Sequence, residues 1–159
     1  MTNETAFLET PIGTAKIVGN KNGIQSVTFL DEKMPTSIEI APCLQECVSQ
    51  LIDYFEGKRI EFELTLHPKA TAFQGKVWKS LLQIPFGKTT SYLEQSTLLG
   101  DPKAIRAVAS ANGKNPILII IPCHRVIGSD GSFTGFSAGI WRKKWLLAHE
   151  NPVKQETLF

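Results

Sequence analysis

The chain has three cysteines and three histidines, and that scarcity removes whole classes of function. A structural zinc site takes about four Cys, His or acidic ligands at characteristic spacings. Cys43, Cys47 and Cys123, with His67, His124 and His149 scattered between them, do not supply such a set. An odd cysteine count, behind a polar M-T-N-E-T start with no secretory core, argues against a disulfide framework. No apolar run approaches the ~20 residues of a membrane span. The expectation is a soluble, cytoplasmic protein with neither metal nor membrane. Acid is scarce too, but only in one half. Residues 71–159 carry five Asp/Glu against eleven Lys/Arg, a net of +6, while residues 1–70 carry ten against six, a net of −4. Such asymmetry points the second half at a polyanion, although solvation of an ordinary surface would use the same residues.

What is present reads as an ordinary globular chain. At 159 residues, 42% hydrophobic and 20% charged, it suits one compact unit or two small lobes. A chain of this size buries roughly 70% of its extended surface. Gly13 to Val18 and Ile24 to Leu30 are short β-rich runs around the turn-like Gly19-Asn20-Lys21-Asn22-Gly23. A helix is expected from Pro42 to Phe55, where Cys43 and Cys47 extend an apolar face with Leu44, Val48, Leu51 and Ile52. Those two thiols therefore read as small buried hydrophobes. Ile60 to Leu66 alternates as a half-buried strand with Ile60, Phe62, Leu64 and Leu66 inward. The pattern changes near His67-Pro68-Lys69, which sets an expected boundary between lobes 1–69 and 70–150.

The second half reads as helical, with marked starts. Thr71 with Gln74 and Ser91 with Glu94 are capping-box signatures. Asp101 before Pro102 pairs an N-cap acid with proline at the first helical position. Segments 92–98 and 102–112, joined at Leu99-Gly100-Asp101, have the outline of a helix-turn-helix. On the second helix Ile105, Val108 and Ala109 share one face, and Lys103, Arg106 and Ser110 the other. The fold class expected is α+β: a sheet-containing first lobe and a mostly helical second lobe.

One stretch carries chemistry. Ile117 to Val126 reads I-L-I-I-I-P-C-H-R-V. Five apolar residues suggest a strand buried on both faces, ended by Pro122, which cannot donate to a ladder. Cys123, His124 and Arg125 follow at its mouth, where rigid scaffold meets accessible surface. Cys123 is a nucleophile candidate on that ground alone.

The run P-C-H-R-V-I-G-S-D-G-S-F-T-G-F-S-A-G-I-W-R-K-K-W-L-L-A-H-E resembles the active-site region of the O6-alkylguanine-DNA alkyltransferases. The likeness extends upstream through R-A-V-A-S-A-N-G-K-N and P-F-G-K-T-T-S-Y and so covers about Phe73 to Glu150. It implies direct, irreversible transfer of an alkyl group from guanine O6 in double-stranded DNA to Cys123, each molecule acting once and without a dissociable cofactor. O4-alkylthymine is a further candidate substrate, and a monomer is the expected state. The family's water-linked relay falls on Cys123, His124 and Glu150, and its asparagine hinge on Asn115. Arg106 matches the arginine that enters the base stack from the minor groove when guanine is flipped out. Tyr92 matches the tyrosine that meets the phosphate and the flipped base. Val126 and Ser137 match pocket positions that read the base, and Lys143 a lysine at the pocket rim. Phe136 departs from a frequent tyrosine and Ala138 from a frequent glycine, which bears on rate and on room for bulky adducts.

Trp141 and Trp145 are expected in the core, anchoring the helix that delivers Glu150. The tail 151–159 reads as flexible, and its Gln155-Glu156-Thr157-Leu158-Phe159 resembles peptides that dock onto bacterial sliding clamps; a chance match at a frayed polar terminus is the favoured reading of the two. Two rival classes stay open on this reading, a lesion sensor that binds without transfer and a Cys-His hydrolase.

Overall fold

Alternating small and apolar residues near the start build a three-stranded antiparallel sheet in the order β1-β2-β3. The strands are β1 (Glu4–Thr10), β2 (Gly13–Asn20) and β3 (Gly23–Leu30). Ala6 and Leu8, Ala15 and Ile17, and Ile24 and Val27 point to the buried face. The first strand offers only two inward apolar positions, which is why its alternation is hard to see in the sequence. Helix α1 (Pro42–Phe55) starts with proline at a position whose N–H is unneeded. It buries Leu44, Cys47, Val48, Leu51 and Tyr54. Burial pushes the Cys47 thiol up to about 12, so it is packing and not a reagent.

This computed structural model describes residues 2–151. It divides into two compact units, Met1–Lys69 with Pro116–Leu118, and Ala70–Asn115 with Ile119–Phe159. The Gln155–Phe159 motif lies outside the described residues. The class is α+β, and among the described residues no helix is long and apolar enough to cross a membrane.

Two expected strands are different in the structure. Between Ile60 and Leu66 only Leu66 bridges a strand, parallel to Ile24. Upstream, the Gln50 side chain takes the place of a ladder, accepting from the Glu63 N–H at 2.9 Å and donating to its carbonyl at 3.1 Å. Ile60 is exposed, not inward, while Phe62, Leu64 and Leu66 are half-buried.

The apolar run before Cys123 is buried throughout, yet it is no strand. Ile117 alone bridges Val27, whose N–H donates to the Pro116 carbonyl and whose carbonyl accepts from Leu118, each at 2.9 Å. The chain then turns at Ile119, which holds φ at +71°. For a β-branched residue that left-handed conformation costs on the order of 1–3 kcal/mol and persists only where its surroundings impose it. The turn explains why Pro116–Leu118 joins the first unit and Ile119 onward the second, a division that a boundary at residue 69 alone does not describe.

The second unit opens with α2 (Ala72–Leu81). Its capping box is complete: Thr71 Oγ1 accepts from the Gln74 N–H, and Gln74 Oε1 accepts from the Thr71 N–H, both at 3.1 Å. Val77, Trp78 and Leu81 are buried, and Phe73 and Leu82 stay at the surface. Strand β4 (Thr90–Ser91) pairs in parallel with β5 (Val126–Ile127), fixing the chain after the cysteine beside the start of α3 (Tyr92–Leu98). Ser91 Oγ caps α3 by accepting from the Glu94 N–H at 3.0 Å.

Helix α4 (Ile105–Gly113) begins later than expected. Asp101 Oδ1 accepts from the Lys103 N–H at 2.9 Å, so it closes a turn over 101–104 and does not cap the helix. Gly100 sits at φ +99° in the link between α3 and α4, where a side chain would be strained. A buried reciprocal amide pair, Gln95 with Asn112 at 2.9 and 2.7 Å, joins the two helices. The inward face of α4 is Val108, Ala111 and Asn112, and Ile105 is exposed.

Helix α5 (Ile140–Glu150) inverts the usual pattern. It buries Arg142, Lys143, Leu146 and Glu150, while Trp141 is 54% exposed. The core position expected for Trp141 is therefore wrong. Trp145 is half-buried and stacks on His149 at 4.8 Å between ring centroids. Charged groups face inward because what they meet is a set of carbonyls and a histidine, not an apolar core.

Candidate active site

After Pro122 the backbone makes one tight 3-10 turn, Cys123–Arg125. On a turn with three residues per revolution, successive side chains point about 120° apart. Cys123, His124 and Arg125 can therefore serve three directions from one short segment. His124 Nε2 lies 2.7 Å from Glu150 Oε2, at the end of α5. The same carboxylate takes a forked pair from Arg125, Nε to Oε1 at 2.8 Å and Nη2 to Oε2 at 3.1 Å. Arg125 Nη1 continues to the Ile84 carbonyl at 2.7 Å. Two-point guanidinium–carboxylate contacts fix orientation as well as charge.

The protonation states follow from this geometry. Burial alone would raise the Glu150 carboxyl, but His124 and Arg125 together outweigh it and hold the group well below the usual carboxylate range. Burial lowers His124, with Glu150 pulling the other way. The carboxylate is already paired with the Arg125 guanidinium, so the buried imidazole is neutral. Its Nε2 faces an anion, so the proton sits there and Nδ1 carries the lone pair. That Nδ1 is buried with no hydrogen-bond partner among the protein atoms. An orphaned buried acceptor calls for a partner, and a proton donated toward it would find a base oriented by Glu150.

Cys123 needs such help. Burial pushes its thiol up to about 11, against opposing pulls from an Asn115 hydrogen bond and the Lys143 charge. At that value only about one molecule in ten thousand is thiolate at pH 7, and the thiol itself is a poor nucleophile. Asn115 is buried, and its Nδ2 donates to the Ile121 carbonyl at 2.8 Å, tying the end of α4 to the segment that presents the cysteine.

A cavity of about 450 Å³ lies over Cys123. Tyr92, Arg106, Phe136 and Ser137 line it, with Asn112 and Thr134 completing its polar edge. Arg106 stands exposed on the outer face of α4. Tyr92 Oη donates to the Thr134 carbonyl at 2.9 Å. Burial raises the Tyr92 phenol above its ordinary value, so it stays a donor at neutral pH. Two expected positions are not in the lining. Val126 is fully buried, and its carbonyl is taken by Lys143 Nζ at 2.6 Å. Lys143 is likewise buried instead of standing at a rim, and its Nζ also reaches the Thr134 carbonyl at 3.1 Å. Burial brings Lys143 down to about 8.

Sequence reasoning leaves Arg125 and Arg142 without a role. Arg125 is the third ligand of the Glu150 carboxylate, and only its place beside Cys123-His124 hints at this. Arg142 is buried and donates from Nη1 to the Ala138 carbonyl at 2.9 Å. An arginine beside a tryptophan on an amphipathic helix carries no such signal in the sequence. Among the described residues there is no cluster of His, Cys, Asp or Glu suited to a metal ion.

Two family descriptions match the chain. The "6-O-methylguanine DNA methyltransferase, DNA binding domain" matches residues 72–152, and the corresponding "ribonuclease-like domain" matches residues 5–68. A methylated-DNA–protein-cysteine methyltransferase of Methanosarcina barkeri is 46% identical over 149 residues, covering 91% of this chain and 94% of that protein. The crystal structure of the Mycobacterium tuberculosis O6-methylguanine methyltransferase superposes with a TM-score of 0.85 at 38% identity, covering 95% of this chain and 94% of that one. The Mycobacterium tuberculosis protein in complex with DNA superposes at 0.83 with 42% identity, covering 92% and 91%.

Proposed function

Because the chain belongs to the 6-O-methylguanine DNA methyltransferase family, we propose that it repairs DNA by moving an alkyl group from guanine O6 onto the sulfur of Cys123. The observation that carries this reading is Cys123 at the base of an open cavity, backed by a histidine whose basic nitrogen is unpartnered and whose other nitrogen faces Glu150. The Cys123 proton passes through a bridging water to His124 Nδ1, and Glu150, held in place by the Arg125 fork, stabilises the imidazolium that forms. Sulfur attacks the alkyl carbon, the carbon–O6 bond breaks, and guanine leaves with the released electron pair, taking up a proton from the pocket. The product is a thioether, which no step of the cysteine redox ladder reverses. Each molecule therefore acts once. O4-alkylthymine presents the same alkyl–oxygen bond and is a second substrate.

The buried thiol reaches a base only when that base leaves the helix. Flipping costs a few kcal/mol. We assign Arg106 to the vacancy in the stack, entered from the minor groove, and Tyr92 to the flipped base and its phosphate. Arg106→Ala is expected to slow reaction with O6-methylguanine in duplex DNA at least about tenfold, the loss of one charged contact, and to leave the rate with free O6-benzylguanine nearly unchanged. Paired single-turnover rates test this; equal losses on both substrates would remove Arg106 from the flipping step.

The reading as a whole is tested by incubation with O6-methylguanine duplex and peptide mass spectrometry. One methyl on the Cys123 peptide is the expected result, and stoichiometric DNA binding without it would point to a lesion sensor. We place the protein with its DNA in the cytoplasm, acting as a monomer. We further propose that Gln155–Phe159 tethers it to a sliding clamp. Deleting those five residues should abolish clamp binding in a pull-down, and undiminished binding would end that proposal.

A further inference from the structure

Side chains hold the loop that walls the cavity at two of its carbonyls, and only one of these ties comes from groups already assigned. At Thr134 the carbonyl accepts from Tyr92 Oη and Lys143 Nζ. At the far end, the Ala138 carbonyl accepts from Arg142 Nη1 at 2.9 Å. Phe136 and Ser137, which line the cavity, lie between these two points.

Arg142 does not stand alone. Its guanidinium carbon lies 4.5 Å from the centre of the Trp141 ring. The indole is more than half exposed, so burial does not account for its position. What its face does is support a planar cation and restrict the Arg142 side chain to the arrangement that reaches Ala138. The backbone is cut to fit. Gly139 sits at φ +97°, and a Cβ there would stand 3.3 Å from Trp141 Cδ1. The Gly139 N–H donates to the Phe136 carbonyl at 2.9 Å, and its own carbonyl accepts from the Arg142 N–H at 3.1 Å. Indole, guanidinium and loop thus form one interlocked turn at the start of α5.

We propose that Trp141 and Arg142 form a latch on the loop Phe136–Gly139, and that this latch sets how large an alkyl group the Cys123 cavity admits. The inference rests on the alkyl-transfer reading above. With the latch closed, Phe136 and Ser137 hold their places and a small adduct is confined near sulfur, where positioning accelerates reaction. A bulky adduct has to displace the same wall. Breaking the latch therefore favours large groups and penalises small ones, which a general loss of folding would not do.

The test uses full-length protein and three substrates: O6-methylguanine duplex, O6-benzylguanine duplex and free O6-benzylguanine. Trp141→Ala leaves the core untouched, and Arg142→Met keeps an apolar stem in the buried space. In both variants the benzyl-to-methyl rate ratio on duplex should rise about tenfold, the worth of one charged hydrogen bond. The free benzylated base should react faster in the same sense. Trp141→Phe, which keeps a ring face for the guanidinium, should retain the wild-type ratio. An unchanged ratio in Trp141→Ala and Arg142→Met overturns the latch. So does a loss on both duplexes with the free base unaffected, because Trp141 would then be touching DNA. Wild-type protein that transfers neither group sinks the alkyl-transfer reading and the latch together, whereas transfer with an unchanged ratio sinks the latch alone.

Discussion

Cys123→Ser is expected to abolish methyl transfer, by at least about a thousandfold in rate, while leaving binding to O6-methylguanine duplex intact. Serine keeps the shape and a hydrogen-bonding group but loses the polarisable, ionisable sulfur that attacks carbon. The readouts are intact mass after incubation and a DNA-binding titration. Methylation of the serine variant elsewhere on the chain would move the acceptor and overturn the assignment. The pH dependence of wild-type transfer adds a second check. The thiol is pushed up to about 11, so a cysteine reacting as a free thiolate would gain about tenfold in rate per pH unit through neutrality. A thiol that passes its proton to His124 responds differently. Its rate is level while the imidazole is neutral and falls only as His124 takes a proton. Burial lowers that histidine from its ordinary value, so the fall belongs below about pH 6.5. A profile rising steadily from pH 6 to 9 would rule the relay out.

How far the residues disclosed this site depended on whether local rules were allowed to operate. Thr71 with Gln74 and Ser91 with Glu94 were readable because capping is a contact within one turn of chain, with nothing distant to overrule it. Pro42 marked the start of α1 for the same reason. The apolar run before Cys123 reads as a strand because burial and strand formation usually go together. Here Ile117 joins a sheet for one residue and Ile119 turns away at φ +71°. No propensity favours isoleucine there, and only tertiary packing imposes it. Asp101-Pro102 has the form of a helix start, but its carboxylate is satisfied by the Lys103 N–H, before the helix begins at Ile105.

Helix α5 shows the deeper reason for the misses. Hydrophobic periodicity assigns Trp141 and Trp145 inward, whereas the buried stripe is Arg142, Lys143, Leu146 and Glu150. Three of those four are charged, and each has partners on the turn after Cys123 or on the loop that follows. A functional face of this kind violates patterning because its partners are backbone carbonyls and a histidine. Arg125 was hidden in the same way, since nothing local announces that a guanidinium beside a cysteine is meant for a carboxylate 25 residues on. The family resemblance supplied Glu150 and His124, but the ion pair holding them becomes visible only in three dimensions.

That ion pair makes Glu150→Gln the second change of large effect, because one substitution strikes both stability and chemistry. The carboxylate side chain is 1% exposed and receives His124 and both arms of the Arg125 fork. An amide leaves the Arg125 charge buried without its counter-ion, at a cost of about 3 kcal/mol or more. The pH dependence fixes the sign. Glu150 is held below the usual carboxylate range in the folded chain, so between that value and an unfolded pKa of about 4.3 the unfolded chain binds more protons. The stabilisation is therefore complete above about pH 5 and is lost as pH falls through the folded value. Glutamine has no such proton to take up. Wild type and variant should differ by a constant amount above about pH 5, and the gap between their denaturation midpoints should start to narrow only below about pH 4, continuing to shrink toward the folded value. Transfer should slow about a hundredfold, the usual worth of a positioned general base, because Nε2 no longer faces an anion and His124 loses the group that stabilises its charged form. DNA affinity should stay near that of wild type, since Arg106 and the outer face of α4 lie outside this cluster. A variant that keeps the wild-type midpoint at pH 7 would show that the ion pair carries no net stability. One that transfers at the wild-type rate would show that His124 is not the base.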